Sequence, residues 1–164
     1  MAKARAIEGL QAGDSYAAAA AKVVAVRARE VADHSAGALD TGDIERVHDM
    51  RVATRRLRAA LEVFEPCFPA AQHRQALDEV KEVADALGER RDADVAIDAL
   101  ETFAAGLATP DRPGLASLVE RMRVEQHEAN AHLEPFVQPR RLAALGERLS
   151  ELITDAEAVA SDAR

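Results

Sequence analysis

Apolar residues recur at spacings of three and four along most of the chain, and the pattern breaks at clusters of glycine and proline. That period predicts amphipathic helices, not strands. A first helix is expected over 15–33, with Ser15 or Asp14 as its cap and Ala17, Val24 and Val31 on one stripe. Residues 34–42 hold Gly37, Asp40, Thr41 and Gly42 and read as a loop. Asp43 starts a second helix that runs to about Phe64, where Pro66 and Pro69 forbid continuation. A third is expected over 70–87, carrying Leu77, Val80, Ala84 and Leu87, with Gly88 as its terminator. A fourth runs from about Asp92 to Leu107, followed by a loop over Thr109–Gly114. A fifth spans about Leu115–Leu133 and stops at Pro135. A sixth opens at Pro139, a residue suited to a first helical position, and bears Leu142, Leu145, Leu149 and Leu152. The polar stretch from Asp155 to Arg164 reads as a frayed end. Six helices on short connections predict an all-α antiparallel bundle, one domain with its core over about 10–155. No internal repeat or low-complexity linker divides it.

Composition agrees with helices. The chain has 164 residues, enough for a real core, and is 48% hydrophobic but only 3% aromatic. Cys67 is the lone cysteine, which excludes an internal disulfide and a cysteine-based zinc site. Between Pro66 and Phe68 it reads as a small apolar residue. No signal-peptide pattern opens the chain and no apolar run approaches a membrane span of roughly 18 residues, so a cytoplasmic location is expected.

Charge changes the picture. The formal net charge is -8, which repels polyanions at long range and argues against a generic nucleic-acid binder. Yet the segment from Arg46 to Arg58, RVHDMRVATRRLR, carries five arginines and one aspartate, a local +4. The remainder of the chain therefore carries -12. On a helical wheel Met50, Ala53, Leu57, Ala60, Leu61 and Phe64 form the apolar side. His48, Arg51, Arg55 and Arg58 fall within roughly 80° of each other on its flank. Arg56 points elsewhere. Like charges at these spacings repel. Arg58 has Glu62 four residues on, but Arg51 and Arg55 have no acid at that distance. Over about 15 Å of helix the row suits an extended polyanion. Arginine stays charged and its planar fork donates two hydrogen bonds to phosphate oxygens, and His48 can add a third donor type. The competing reading of the same residues is a solvated or internally salt-bridged face.

At this point the residues resemble a known family. VHDMRVATRRLRAALEVF, from Val47 to Phe64, is similar to the signature helix of the conserved histidine α-helical domain family, CHAD. EVKEVADALGERRDADV, from Glu79 to Val95, resembles the helix and turn that follow in that family, with a lysine, a Leu-Gly pair and an Arg-Asp-x-Asp-Val ending. The resemblance implies an all-helical fold that binds inorganic polyphosphate, with some members at polyphosphate granules and many fused to a triphosphate-tunnel domain. It assigns His48, Arg51, Arg55 and Arg58 to the binding face and adds Lys81, Arg56, Arg91 and Arg141. A complete domain of the family has two related helical halves, each with its own basic helix. This chain has one, so it resembles a single half, and a homodimer would restore the second.

Other chemistry is thin. His34, His48, His73, His127 and His132 include no i,i+4 pair, so no metal site is expected. Asp92, Asp94 and Asp98 read as acids at a helix start, favoured by the dipole, with a magnesium that accompanies polyphosphate as the alternative. Arg121, Arg123, Arg140, Arg141 and Arg148 interleave with glutamates and suggest a solvated face. No phosphate loop or nucleophile-and-base pair is evident, so the expectation is a binding module without catalysis or cofactor. The alternatives are an accessory of a polyphosphate- or triphosphate-processing enzyme, a nucleic-acid binder, and a structural bundle.

Overall fold

A computed structural model describes residues 3–107 and 112–162, and every regular element among them is helical. The described residues form five α-helices where about six were expected: α1 (Tyr16–Asp33), α2 (Ile44–Val63), α3 (Ala70–Ala105), α4 (Arg112–Val137) and α5 (Pro139–Asp162). A short 3-10 turn, Glu65–Cys67, joins α2 to α3.

The first two helices follow their local signals closely. Ser15 accepts a hydrogen bond from the Ala18 N–H at 3.2 Å and caps α1. Ala17, Ala20, Ala21, Val24 and Val31 form its buried stripe. Asp43 caps α2 by accepting from the Glu45 N–H at 3.3 Å. Val47, Met50, Ala53, Thr54, Leu57, Ala60 and Leu61 are its buried side. Between them Gly37 takes φ +78°, and an added Cβ would stand 2.6 Å from Cδ of Arg46, so both backbone and space require glycine there.

The expected third and fourth helices are one. Gly88 does not end α3, because a glycine stop needs the left-handed backbone and only Gly9 and Gly37 adopt positive φ among the described residues. A mid-helix glycine costs only about 1 kcal/mol. The buried Val80, Val83, Ala84, Ala86 and Leu87 before it, and Ala93 and Ile97 after it, outweigh that. Merging the two also overturns the dipole account of Asp92, Asp94 and Asp98, which lie deep inside α3.

Two further expectations change for similar reasons. Pro135 lies inside α4, which continues to Val137. It sits in the last turn, where its missing N–H removes one hydrogen bond. The stretch from Asp155 is not frayed, since α5 runs to Asp162 and buries Ala156 and Ala160 in step with Leu145, Leu149 and Leu152. Of the expected 109–114 loop, residues 112–114 are helical and the rest lies outside the described residues.

In the packing α1 lies against α2 and α5, and α3 against α2 and α4. Two clamps set the register of α2 on α3. At one end His73, buried and stacked on Phe68, hydrogen-bonds the Leu61 carbonyl at 2.9 Å. At the other, Arg91 donates to the Ile44 carbonyl at 3.1 Å.

Beside Arg91, Arg90 is fully buried and pairs with the buried Asp94 through Nη1. Its Nε donates to Asn130 at 3.1 Å, and Gln126 donates to Asp94 at 2.7 Å, so α4 closes the pair. Asn130 in turn donates to the Leu39 carbonyl at 3.0 Å, which holds the α1–α2 loop. Removing one member strands the other charge in the core. Arg90→Ala should therefore cost about 3–5 kcal/mol, read as the midpoint shift in urea unfolding. Replacing Arg90 and Asp94 together with leucine should recover most of that loss.

Candidate functional site

The α2 helix buries Met50, Leu57 and Leu61 and so turns its basic flank outward. His48 and Arg51 are half-buried there and Arg55 is exposed. None of the three makes a hydrogen bond or ion pair with another described residue. Arg58 differs, because its Nε donates to Glu62 at 2.9 Å. That bond, and the charge of Glu62 behind it, hold the Arg58 guanidinium above its ordinary range, with a smaller push from Asp85 on α3. The four expected residues thus share one face: three have open donors and the fourth is engaged by an acid at its edge.

The face continues onto α3. Lys81, Asp85 and Gly88 follow each other at spacings of four and three on that helix, so they form one row. Asp85 acts on Arg58, and Gly88 lies opposite Arg51, whose Nε is 4.0 Å from the position a Cβ would take. Lys81 therefore faces the same strip, with Asp78 at 4.0 Å as its nearest acid. The strip is open surface. Clefts of about 680 and 560 Å³ lie elsewhere, and neither is lined by a residue of the basic row. An open row of donors accommodates a polymer, whereas small ligands favour concave pockets.

The remaining expected residues are placed apart. Arg56 turns toward α1, where its Nη1 stands 4.0 Å from Glu30. Glu30 is 1% exposed and also receives the Arg5 N–H at 2.6 Å and Arg27 at 2.8 Å. Arg91 clamps the start of α2 and pairs with Glu45 at 3.7 Å, not with Asp92 or Asp94. Arg141 ties α5 to α3 through Glu82 at 2.8 Å, and its guanidinium lies 4.7 Å over the Phe136 ring. Arg123 and Arg148 are likewise engaged, by Glu101 and Glu120 and by Glu79.

Among the described residues no group of three or more histidine, cysteine or acidic side chains converges on a metal position. Cys67 is half-buried, and burial pushes its thiol above the usual range. No helix is long and apolar enough to cross a membrane among the described residues. Sequence reasoning missed Arg90, although its i,i+4 spacing to Asp94 was a usable signal. It also missed the pairing of Gly88 with Arg51, which no local pattern reveals.

The family model for the CHAD domain matches residues 22–164. The chain belongs to the CHAD-domain family. No curated protein matches it. CHAD domains as a class are associated with binding polyphosphate. In this CHAD chain the match takes in the whole of α2 and α3, the two helices that carry the open basic strip.

The Glu30 cluster has a pH signature. Burial works to raise the Glu30 carboxyl, but the Arg5 N–H, Arg27 and Arg56 outweigh it and hold the group below its ordinary value. A carboxylate depressed in the folded state stabilises above its unfolded pKa of about 4.3 and loses that contribution as pH falls through the folded value. Glu30→Gln should cost about 1–3 kcal/mol at neutral pH. The gap to wild type should close as pH falls below the unfolded value of about 4.3 and through the lower folded value, measured by denaturant midpoints across the acid range.

Proposed function

We propose that this CHAD chain binds inorganic polyphosphate without chemically altering it, along the strip formed by His48, Arg51, Arg55 and Arg58 of α2 and Lys81 of α3. The observation that carries this reading is that His48, Arg51 and Arg55 make no hydrogen bond or ion pair with one another or with any other side chain among the described residues. Arg58, Arg91, Arg123, Arg141 and Arg148 are engaged by acids, and Arg29, Arg74, Arg121 and Arg140, which have no ion pair among the described residues, are scattered singly, whereas the three open donors of α2 stand in a row that an external anion could span. Phosphate groups spaced along a flexible chain can meet successive guanidinium forks, and each meeting is a charge-assisted hydrogen bond. Arg58 joins when a phosphate displaces Glu62.

No catalytic step is part of this reading: among the described residues the strip offers no nucleophile with a base beside it and no three acids, histidines or cysteines that converge for a metal. Nucleic acid fits less well, because single-strand binding relies on aromatic stacking. Tyr16, the only tyrosine, packs on Phe64 and donates to the Val63 carbonyl instead. A polyphosphate-binding chain would be drawn to polyphosphate granules wherever they form. One basic helix per chain also favours a C2 homodimer that sets two strips around one polymer. Light scattering checks this, and a monomer at micromolar concentration would end it.

Calorimetric titration with long-chain polyphosphate tests the reading itself. With four phosphates neutralised, affinity should fall about 50-fold between about 50 and 200 mM salt. Arg51, Arg55 and Arg58 replaced together by alanine should lose at least about 100-fold in affinity. Helix content should hold in the same variant, because alanine favours helix and the like-charge repulsion is gone. Retained binding by that variant would move the site elsewhere. Phosphate release in the presence of magnesium would replace the reading with an enzyme.

A further inference from the structure

Gly88 stands in the interior of a 36-residue helix, in right-handed backbone that any residue could adopt. It makes no turn and caps nothing. A Cβ there would meet only Arg51, whose Nε would lie 4.0 Å away in ordinary contact, so alanine fits. Alanine would also be the better helix former. Neither local conformation nor crowding explains the glycine, and a glycine inside a helix is otherwise a place where something approaches the backbone closely.

The side chain that lies nearest to it is Arg51. Its guanidinium root lies over the bare stretch of α3, the side chain is half-buried, and it has no hydrogen-bonding partner among the described residues. A bulky residue at 88 would occupy the floor on which Arg51 rests and swing the fork away from Arg55. Asp85 and Asp92, on either side of Gly88 in the same row, add two acids that a displaced guanidinium could reach. Keeping position 88 bare keeps Arg51 low, one helical turn from Arg55 on the same face of α2, and leaves the seam between α2 and α3 open.

We propose that Gly88 is a positioning residue for anion binding: its bare backbone seats Arg51 and holds open the floor of the strip on which the phosphate chain lies. This rests on the reading of the strip as a polyphosphate site. The test pairs Gly88→Ala with Gly88→Leu, measures affinity for long-chain polyphosphate by calorimetry, and measures thermal midpoints. Gly146→Ala serves as control, since Gly146 is also inside a helix, has nothing near its Cβ position, and lines the apolar cleft at the α1–α2 loop. Each alanine should raise the midpoint by about 2–4 °C through helix propensity. Gly88→Ala should keep affinity within about twofold, while Gly88→Leu should lose about tenfold, or about 1.4 kcal/mol, with its helix content intact. A merely structural glycine would instead move stability and affinity together. Gly88→Leu binding as tightly as wild type would overturn the seat and leave the strip standing. Wild type that does not bind would overturn both.

Discussion

The geometry of the basic strip depends on a charge that never reaches the surface. Arg90 and Asp94 are both buried on α3, and a buried ion pair is tolerated only when its geometry is good and its remaining donors and acceptors are met. Gln126 and Asn130 supply part of that from α4, leaving Arg90 Nη2 and Asp94 Oδ2 without a hydrogen bond among the described residues, and Asn130 extends the network to the Leu39 carbonyl in the α1–α2 loop. Three elements are thereby fixed at one level of α3. The neighbouring Arg91 uses the same level to grip the first turn of α2. Together with His73 on the Leu61 carbonyl, it holds α2 at both ends against α3. Every residue from His48 to Arg58 lies between those two clamps. The seam that Arg51 crosses at Gly88 is as wide as the clamps make it.

Rigid helices matter because the strip gains nothing from concavity. A polyanion meets the surface from solvent, and each exposed contact is weak by itself. Donors already held in line avoid part of the ordering cost of binding. The overall charge of -8 works against approach, but it is screened beyond about 8–10 Å, while the row acts at contact distance. Acidic side chains are spread so that most arginines outside the strip are engaged: Glu30 faces Arg56, Glu45 faces Arg91, Glu82 faces Arg141 and Glu79 faces Arg148. An acidic protein can thus present a basic strip selectively. A polymer with high charge density competes best for it, since only many simultaneous contacts overcome the repulsion of the remainder.

What could be read from the chain alone follows a physical division. The α1 and α2 helices were legible nearly to the residue, because capping by Ser15 and Asp43 and the stop at Pro66 are local events. Gly88 and Pro135 were misread for the opposite reason. Gly88 is a helix breaker only by propensity, a matter of about 1 kcal/mol, and packing on both sides of it decided the outcome, while Pro135, which lacks an N–H and crowds the preceding turn, is accommodated in the last turn of α4. The C-terminal part of α5 looked frayed because its buried contacts are alanines at 156 and 160, whose small side chains hardly mark a stripe.

The site shows the same division at finer scale. Whether Arg51 and Arg55 have an acid one turn away depends only on helix geometry, so the lack of a local partner could be read before any fold was known, but the lack of one from other helices could not. Whether Arg56, Arg91 and Arg141 are open depends on Glu30, Glu45 and Glu82, which lie on other helices. The resemblance by itself groups all seven arginine and histidine positions without saying which of them are open. The structure separates them into cations that hold the helices together and cations left over. For a charged side chain, the left-over state is informative where it recurs along a row: among the described residues no acid stands within ion-pair distance of His48, Arg51 or Arg55, as one does for Arg56, Arg91 and Arg141.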